Sequence, residues 1–219
     1  MNEENNEILE NIYTIRNLSE KSLNKRVSLF EKERGDLFAT WIGIGKRVLD
    51  LGCKYGALTE YYIKDNDVTG FDIDSKALKM CSEGIKTEQH DLNGDWHKNN
   101  EDKFDVVVSS EVVEHLYYPD EVMKKINFVL KSGGYFIGSV PNAFNLKNRF
   151  RLFFANKNST PLVEPTHINH FSYQELSELL NKYFVDVELV PIVQDKWKWF
   201  AKIFPGLGSF LLAFKARKK

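Results

Sequence analysis

The sequence predicts an α/β protein in which helices cover both faces of a doubly wound, mainly parallel sheet. Short apolar segments alternate with amphipathic ones along the middle of the chain, as in a series of strand and helix units. The first apolar segment, 48–51, leads directly into a turn bounded by Gly52 and Gly56. The segment 104–108, Phe-Asp-Val-Val-Val, is too apolar for an exposed strand, so we expect it at the centre of the sheet.

Periodicity and turn residues place the remaining elements in chain order. Apolar residues at helical spacing predict two helices up to about Trp41, with a break between them at 18–20 and an interruption of the second at Gly35. Ser172 and Glu175 form a capping-box pattern that begins the last long helix. Strands are expected at 48–51, 68–71, 85–90, 104–108, 135–140, 185–190 and 208–214, helices at 58–64, 75–81, 120–130 and 172–182, a turn at 131–134 and an irregular excursion at 141–169.

Composition sets broad limits on the kind of protein. With 219 residues, of which 42% are hydrophobic, the chain can bury a substantial core. Its formal net charge of -1 gives no general attraction to nucleic acid. Cys53 and Cys81 have neither metal-ligand spacing nor the pattern of a disulfide framework. The N-terminal residues lack the basic and apolar parts of a signal peptide, and no apolar stretch is long enough to span a bilayer, so we expect a cytoplasmic protein.

Acidic residues accompany three successive predicted strands. Asp50 stands two residues before Gly52, Asp72 ends the second strand, and Asp91 follows the third. A carboxylate at the end of the second strand can accept both hydroxyl groups of a ribose, and Asp91 with Leu92 can meet an adenine. The dinucleotide pattern Gly-x-Gly-x-x-Gly does not follow the first strand, and the turn is not a phosphate-cradling lysine loop. These features indicate an adenosine ligand without phosphates and favour S-adenosylmethionine.

Five motifs, in this order, resemble those of the class I S-adenosylmethionine-dependent methyltransferases with a type 11/23-like domain. They are VLDLGCKYG at 48–56, VTGFDID at 68–74, HDL at 90–92, FDVVVSSEVVEHL at 104–116 and LKSGGYFIGSVPN at 130–142. The resemblance implies a three-layer Rossmann-like sheet of about seven strands in the order 3-2-1-4-5-7-6, with the last strand antiparallel. It implies a single methyltransferase domain, with a helical N-terminal cap at 1–42, a cofactor-binding core at 43–140, a lid and acceptor segment after strand 5 at 141–171, and a C-terminal helix and hairpin at 172–219.

The resemblance also assigns residues to the cofactor S-adenosyl-L-methionine. The expected cofactor-binding residues are Asp50, Gly52, Cys53 and Gly56 in and beside the first loop, Asp72 and Ile73 at the ribose, Asp91 and Leu92 near the adenine, and Ser109 where the sheet opens onto the transferred methyl group. One departure from the family pattern is Lys54, which takes the place of the middle glycine of the loop. Its side chain either points to solvent or pairs with the cofactor carboxylate or an anionic substrate.

The segment that follows the fourth strand carries the candidates for catalysis. It has neither the Asn/Asp-Pro-Pro-aromatic motif of amino-methylating enzymes nor the Pro-Cys nucleophile of cytosine C5 enzymes. We take His115 as the general base for a hydroxyl acceptor, with His167 and His170 as alternatives. Glu111, Glu114 and His115 resemble a motif that holds a divalent metal in ubiquinone-pathway O-methyltransferases and small-RNA 2′-O-methyltransferases. The same side chains could instead hydrogen-bond the neighbouring loop, and we assign no metal.

Two segments on the acceptor side combine aromatic and basic residues. Residues 144–157 are expected to pack most of their apolar side chains on the sheet, with Arg149 and Arg151 as candidate anion-binding residues. Residues 197–204, which contain two Trp with interspersed Lys, suit either a membrane surface or a dimer interface.

We therefore expect an S-adenosylmethionine-dependent methyltransferase that methylates an oxygen of a small-molecule, glycan or lipid-linked acceptor and releases S-adenosyl-L-homocysteine. One alternative is a non-catalytic S-adenosylmethionine-binding or scaffold protein. Another is metal-assisted 2′-O-methylation of RNA, which the neutral net charge disfavours. Peripheral contact with a membrane and the oligomeric state are left open.

Overall fold

The computed structural model describes residues 8, 10–15 and 30–219, and its strands form one seven-stranded sheet. The strand order β3-β2-β1-β4-β5-β7-β6 confirms the predicted order. Strands β1 to β5 pair in parallel, and only the last strand, β7, runs antiparallel to its neighbours. The strands are β1 (Arg47–Leu51), β2 (Asp67–Asp72), β3 (Lys86–Gln89), β4 (Phe104–Ser110), β5 (Leu130–Pro141), β6 (Phe184–Ile192) and β7 (Leu211–Lys218).

Helices pack on both faces of this sheet. They are α1 (Glu31–Ile42), α2 (Ser75–Leu78), α3 (Pro119–Val129), α4 (Leu146–Phe153), α5 (Tyr173–Tyr183), α6 (Lys198–Ile203) and α7 (Pro205–Gly208), and residues 10–15 are also helical. The capping box of α5 is present, because the Ser172 hydroxyl accepts from the Glu175 N–H and the Glu175 carboxylate accepts from the Ser172 N–H. The part of the predicted second helix before Phe30 lies outside the described residues. Among the described residues, no helix combines the length and apolar character needed to cross a bilayer.

Two buried apolar layers sandwich the sheet. One face packs against α3 and α5, through residues such as Val107, Phe136 and Ile126. The other face packs against α1, whose Phe38 and Ile42 meet the central strands. The strongly apolar strand β4 is buried from both sides, as its composition predicts.

Glycines account for three places where the structure differs from the predicted elements. Gly35 does not interrupt α1, because its missing side chain makes room for the ring of Tyr61, whose nearest atom lies 2.4 Å from an added Cβ. The predicted turn at 131–134 is part of β5, where Gly133 has a φ of 73° and the register against β4 shifts. The last strand begins at Leu211 and not at 208, because Gly208 still belongs to α7.

Residues 58–64 are not the single helix that their sequence predicts. They form two 3-10 turns, Thr59–Tyr61 and Ile63–Asp65. The buried carboxylate of Asp50 accepts from the hydroxyl groups of both Thr59, at 2.6 Å, and Tyr62, at 2.7 Å. Side chains three residues apart lie above one another in 3-10 geometry, so this turn lets both hydroxyls reach one oxygen.

A buried arginine ties α1 to the carboxyl ends of two central strands. Arg34 is fully buried, and its Nη1 donates to the hydroxyls of Ser110 in β4, at 2.9 Å, and Ser139 in β5, at 3.1 Å. The same nitrogen lies 3.2 Å from the carboxylate of Glu111, just beyond β4. A buried guanidinium needs hydrogen-bond and ion-pair partners, and those of Nη1 fix where α1 crosses the sheet.

Replacement of this arginine is expected to destabilise the fold. Arg34→Ala leaves the Glu111 carboxylate and two serine hydroxyls without their shared donor, which should lower the free energy of unfolding by about 3 kcal/mol. Urea denaturation followed by circular dichroism measures this change. The matched control is Lys32→Ala on the same helix, whose exposed ion pair with Asp36 should contribute almost nothing. Equal losses in the two variants would contradict the role given to Arg34.

The carboxyl group of Asp50 should make stability depend on pH. Burial raises its pKa from 3.8 to about 6, more than the hydrogen bonds from Thr59 and Tyr62 lower it. The folded state therefore binds the proton more tightly than the unfolded state, and this contribution to stability is lost as the pH rises through about 6. Between about pH 4 and pH 7, the wild type should lose about 2 kcal/mol relative to Asp50→Asn. Urea denaturation of both proteins across this range tests the prediction, and a constant difference would contradict it.

Candidate active site

The carboxyl ends of β1, β2 and β4 meet at one edge of the sheet, and the loop after β1 turns sharply there. Gly52 has a φ of 71°, and a Cβ added to it would lie 2.4 Å from the Val112 side chain. Its N–H donates to the Phe71 carbonyl at 2.7 Å, and the Gly56 N–H donates to the Cys53 carbonyl at 2.8 Å. Glycine is therefore required at position 52 by both backbone angle and space.

Asp72, at the end of β2, holds this loop in place. Its carboxylate accepts from the N–H of Lys54 at 2.8 Å and from the N–H of Asp74 at 2.9 Å. Burial raises the pKa of Asp72 despite these bonds. The neighbouring Ile73 is half-buried, and its carbonyl accepts from the Gln89 side chain at 2.9 Å, which fixes the end of β2 against β3.

Lys54 occupies the middle of the loop in a left-handed conformation. Its φ is 54°, in the region that glycine adopts most readily. Its ammonium lies 5.2 Å from the centroid of the Tyr55 ring, a cation–π distance. The backbone therefore turns as the family pattern requires, although a lysine takes the place of the expected glycine.

Asp91 and Leu92 follow β3 beside the same edge. The Asp91 carboxylate accepts from the N–H of Asn93 at 2.9 Å and stays half-buried. Leu92 is buried, and its carbonyl accepts from the indole of Trp96 at 2.9 Å. Together with Asp72, this places two carboxylates at the ends of adjacent strands, as the sequence predicts.

Asp50, Cys53 and Ser109 are also buried at this edge. One oxygen of the Asp50 carboxylate accepts hydrogen bonds from the hydroxyl groups of Thr59 and Tyr62 beneath the loop. The Cys53 sulfur lies 2.6 Å from the position of a Cβ on Gly70, so it packs against β2. Ser109 lies in β4 opposite Leu51, and its buried hydroxyl has no hydrogen-bond partner among the described residues.

Three side chains with metal-ligating atoms converge beyond β4. Glu114 and His115 lie on the 3-10 turn Val113–His115, and His167 lies on the segment between α4 and α5. Their ligand atoms all lie within 4.8 Å of one another. The Ile168 and Asn169 N–H groups both donate to the Glu114 carbonyl at 2.9 Å, so backbone hydrogen bonds hold the two segments together.

Backbone carbonyls set the orientation of both imidazoles. The Nδ1 of His115 lies 2.8 Å from the Thr166 carbonyl, and the Nδ1 of His167 lies 3.2 Å from the Pro161 carbonyl. Because a carbonyl can only accept, each Nδ1 carries the proton of the neutral ring. The Nε2 of each ring is then the nitrogen able to accept a proton or bind a metal.

Glu111, which the motif resemblance groups with Glu114 and His115, does not join this group. It follows β4 with a φ of 58° and pairs with Arg34. The third member is instead His167, which the sequence suggests as an alternative base and as a residue that could add a metal ligand. The ring of His170 lies 6.3 Å from that of His167 and outside the group.

The N-terminal helical residues also reach this edge, which sequence reasoning missed. The Thr14 hydroxyl donates to Asp74 at 3.1 Å, and the Ser75 hydroxyl donates to Glu10 at 2.5 Å. The ring of Tyr13 lies 6.1 Å from that of His115. Residues 10–15 thus extend from the end of β2 to the histidine group. The only sequence signal in this region is helical apolar spacing, which does not specify where a helix docks.

Comparisons with known proteins agree with this architecture. A family model described as a methyltransferase domain matches residues 23–187, most of the chain. The ubiquinone biosynthesis O-methyltransferase of Aliivibrio fischeri (strain MJ11) is 30% identical over 143 residues, which cover 62% of this chain and 61% of that protein. The chain thus spans about three fifths of the length of this relative.

Two solved structures show the same fold. A methyltransferase from Archaeoglobus fulgidus, described as SAM dependent, has a TM-score of 0.68 at 21% identity and covers 92% of this chain and 98% of its own. Phosphoethanolamine N-methyltransferase 2 of Haemonchus contortus, in complex with S-adenosyl-L-methionine, has a TM-score of 0.61 at 16% identity and covers 85% and 52%. Strand order, loop motifs and the family match agree, and the chain therefore belongs to the methyltransferase domain family of class I S-adenosylmethionine-dependent enzymes.

Proposed function

We propose that this protein transfers the methyl group of S-adenosylmethionine to a hydroxyl oxygen of a small-molecule, glycan or lipid-linked acceptor. The observation that carries the choice of oxygen is the group formed by Glu114, His115 and His167 at the carboxyl edge of the sheet. A hydroxyl nucleophile must lose its proton during transfer, and this group offers two imidazole nitrogens for that purpose. The similarity to O-methyltransferases of ubiquinone biosynthesis supports the same choice.

The residues at the edge fit the cofactor. Gly52 and Gly56 leave the backbone of the loop open to close approach by the methionine part. The carboxylate of Asp72 stands where it can accept from the ribose hydroxyls, and Asp91 stands at the next strand end, toward the adenine. Ser109 contributes a buried hydroxyl that still lacks a partner among the described residues.

His115 is the residue that we assign as general base. Its Nδ1–H is held by the Thr166 carbonyl, so Nε2 is the ring nitrogen that can take the proton of the acceptor hydroxyl. The sulfonium of S-adenosylmethionine already activates the methyl group. The protein therefore has to align the acceptor oxygen with that methyl group and exclude water. Residues 10–15 and the segment around His167 surround His115 and suit both tasks.

The same group also fits a divalent cation, which gives a second assignment for it. Two imidazole nitrogens with a carboxylate are common metal ligands, and carbonyls that hold Nδ1 orient imidazoles toward a metal. Glu114, His115 and His167 would hold the cation. When bound, a divalent cation lowers the pKa of a hydroxyl that it contacts.

The placement of the ribose can be tested with S-adenosylhomocysteine. Asp72→Asn should weaken its binding about 10- to 100-fold, because a hydrogen bond to a charged group is replaced by a weaker one. Isothermal titration calorimetry measures the affinity. The matched control is Asp67→Asn at the opposite end of β2, which weakens an exposed ion pair with Lys86. If both variants bind as the wild type does, the assignment of Asp72 is wrong.

The role of His115 can be separated from cofactor binding. His115→Asn should retain affinity for S-adenosylhomocysteine but lose at least about 100-fold in turnover. Turnover is measured as S-adenosylhomocysteine released from S-adenosylmethionine in the presence of a panel of phenols, catechols, sugars and lipid-linked alcohols. His97→Gln is the control, since its ring packs on Phe128. Undiminished turnover in His115→Asn would show that His115 is not the general base.

Two further outcomes of this assay are informative. If the wild type binds S-adenosylhomocysteine tightly but turns over no acceptor in the panel, the result favours a non-catalytic cofactor-binding protein. If a chelator abolishes turnover and Mn²⁺ restores it, the group is a metal site and His115 is a ligand. Turnover that survives chelation keeps His115 as the base.

A further inference from the structure

We propose that an apolar and basic surface at the carboxyl edge of the sheet binds the surface of an anionic lipid bilayer. We call it the docking surface, and it comprises residues 146–154, which include α4, and residues 197–204, which include α6. The proposal rests on the exposed side chains of these two segments and does not depend on the reaction proposed above.

The first segment exposes the side of α4 that the sequence analysis expected to pack on the sheet, so that expectation is wrong. Phe150 is 66% exposed and Phe153 is 82% exposed, and Leu146 and Phe154 are exposed as well. Their spacing of three and four residues places them on one face of the helix. The opposite face is anchored by Asn148, which is buried and donates to the carbonyls of Asn142 and Ala143.

The second segment presents a similar set of side chains. Trp199 is 65% exposed and Ile203 is 61% exposed, with Trp197 and Phe204 also exposed. Ala201 is fully buried, so α6, like α4, has one buried face and one exposed face. Exposed tryptophans beside lysines are typical of side chains that lie at the interface between water and lipid.

One buried side chain connects the two segments. The amide of Asn142, four residues before α4, donates to the carbonyl of Gly206 at 3.0 Å and to the carbonyl of Ser209 at 3.1 Å. Gly206 follows the second segment by two residues. The start of α4 and the end of the second segment therefore lie close together, beyond the end of β5.

The charge of both segments matches an anionic surface. Between Glu121 and Glu164 the sequence contains no acidic residue, although the net charge of the whole chain is -1. Arg149 and Arg151 donate to backbone carbonyls close to α4, which holds their positive charge beside the exposed rings. The basic residues in or next to the docking surface are Lys147, Arg149, Arg151, Lys157, Lys196, Lys198 and Lys202. Asp195 beside the second segment pairs with Lys198, and the other basic residues outnumber it.

Two other occupants fit these observations less well. A second copy of the chain, related by twofold symmetry, would bring the same positive side chains together. RNA would stack on the aromatic rings, but Leu146 and Ile203 offer no ring for stacking. Aliphatic and aromatic side chains ringed by lysine and arginine suit the boundary between lipid headgroups and acyl chains.

Vesicle co-sedimentation of the whole chain tests the proposal. The protein should pellet with vesicles of phosphatidylcholine mixed with phosphatidylglycerol and far less with phosphatidylcholine alone, because the attraction is partly electrostatic. The double variant Phe150→Ser with Phe153→Ser should reduce the bound fraction about tenfold. The double variant Lys147→Gln with Lys202→Gln should reduce it on the anionic vesicles alone.

Matched controls come from the opposite edge of the sheet. Ile44→Ser removes an equally exposed apolar side chain before β1, and Lys64→Gln removes an exposed lysine before β2, and neither should change binding. Circular dichroism checks that every variant folds. The proposal is overturned if the wild type does not bind the vesicles or if the controls lose as much binding as the docking-surface variants. It is also overturned if the wild type binds only single-stranded RNA, or forms a dimer that Phe150→Ser with Phe153→Ser dissociates while no vesicles are bound.

Discussion

The Arg34 guanidinium is the contact on which the geometry of the active edge depends. It is fully buried and bonds to Ser110 and Ser139, so it joins α1 to the ends of β4 and β5 at one point. Its ion pair with Glu111 holds that residue in a left-handed conformation directly after β4. The chain then enters the short 3-10 turn that carries Glu114 and His115. A charge that must be satisfied inside the protein thus determines where the candidate catalytic residues stand.

Sequence patterns predict the sheet well because each strand carries its own signal. Apolar runs and the turns between them depend on neighbours in the chain, and those neighbours are visible in the sequence. The 3-10 turns after β1 are different, since they form where Thr59 and Tyr62 both bond to Asp50. That contact joins residues nine and twelve positions apart, and helical propensity carries no information about it. The continuous helix through Gly35 likewise depends on the distant ring of Tyr61.

The candidate site likewise contains some residues that the sequence could place and others that it could not. Asp72 and Asp91 could be placed because carboxyl ends of parallel strands share an edge, which follows from topology alone. The group around His115 could not be assembled in full, because His167 is more than fifty residues away and reaches it through backbone bonds to Glu114. Arg34 carries no sequence signal at all. Its role appears only when α1 lies against the sheet.

The edge that carries the proposed function also contains residues whose backbone conformation or burial is unfavourable. Lys54 and Glu111 both adopt left-handed backbone conformations without being glycine, at roughly 1–2 kcal/mol each. Burial raises the pKa of Asp50 to about 6, because it disfavours the charged carboxylate. The central strands are buried from both faces and can sustain these costs. The Asp72 carboxylate holds the loop at Lys54. Arg34 holds the turn that follows Glu111. Relaxing either turn would release the geometry along with the strain, which explains why residues so poorly suited to their local conformation can be accommodated at this edge.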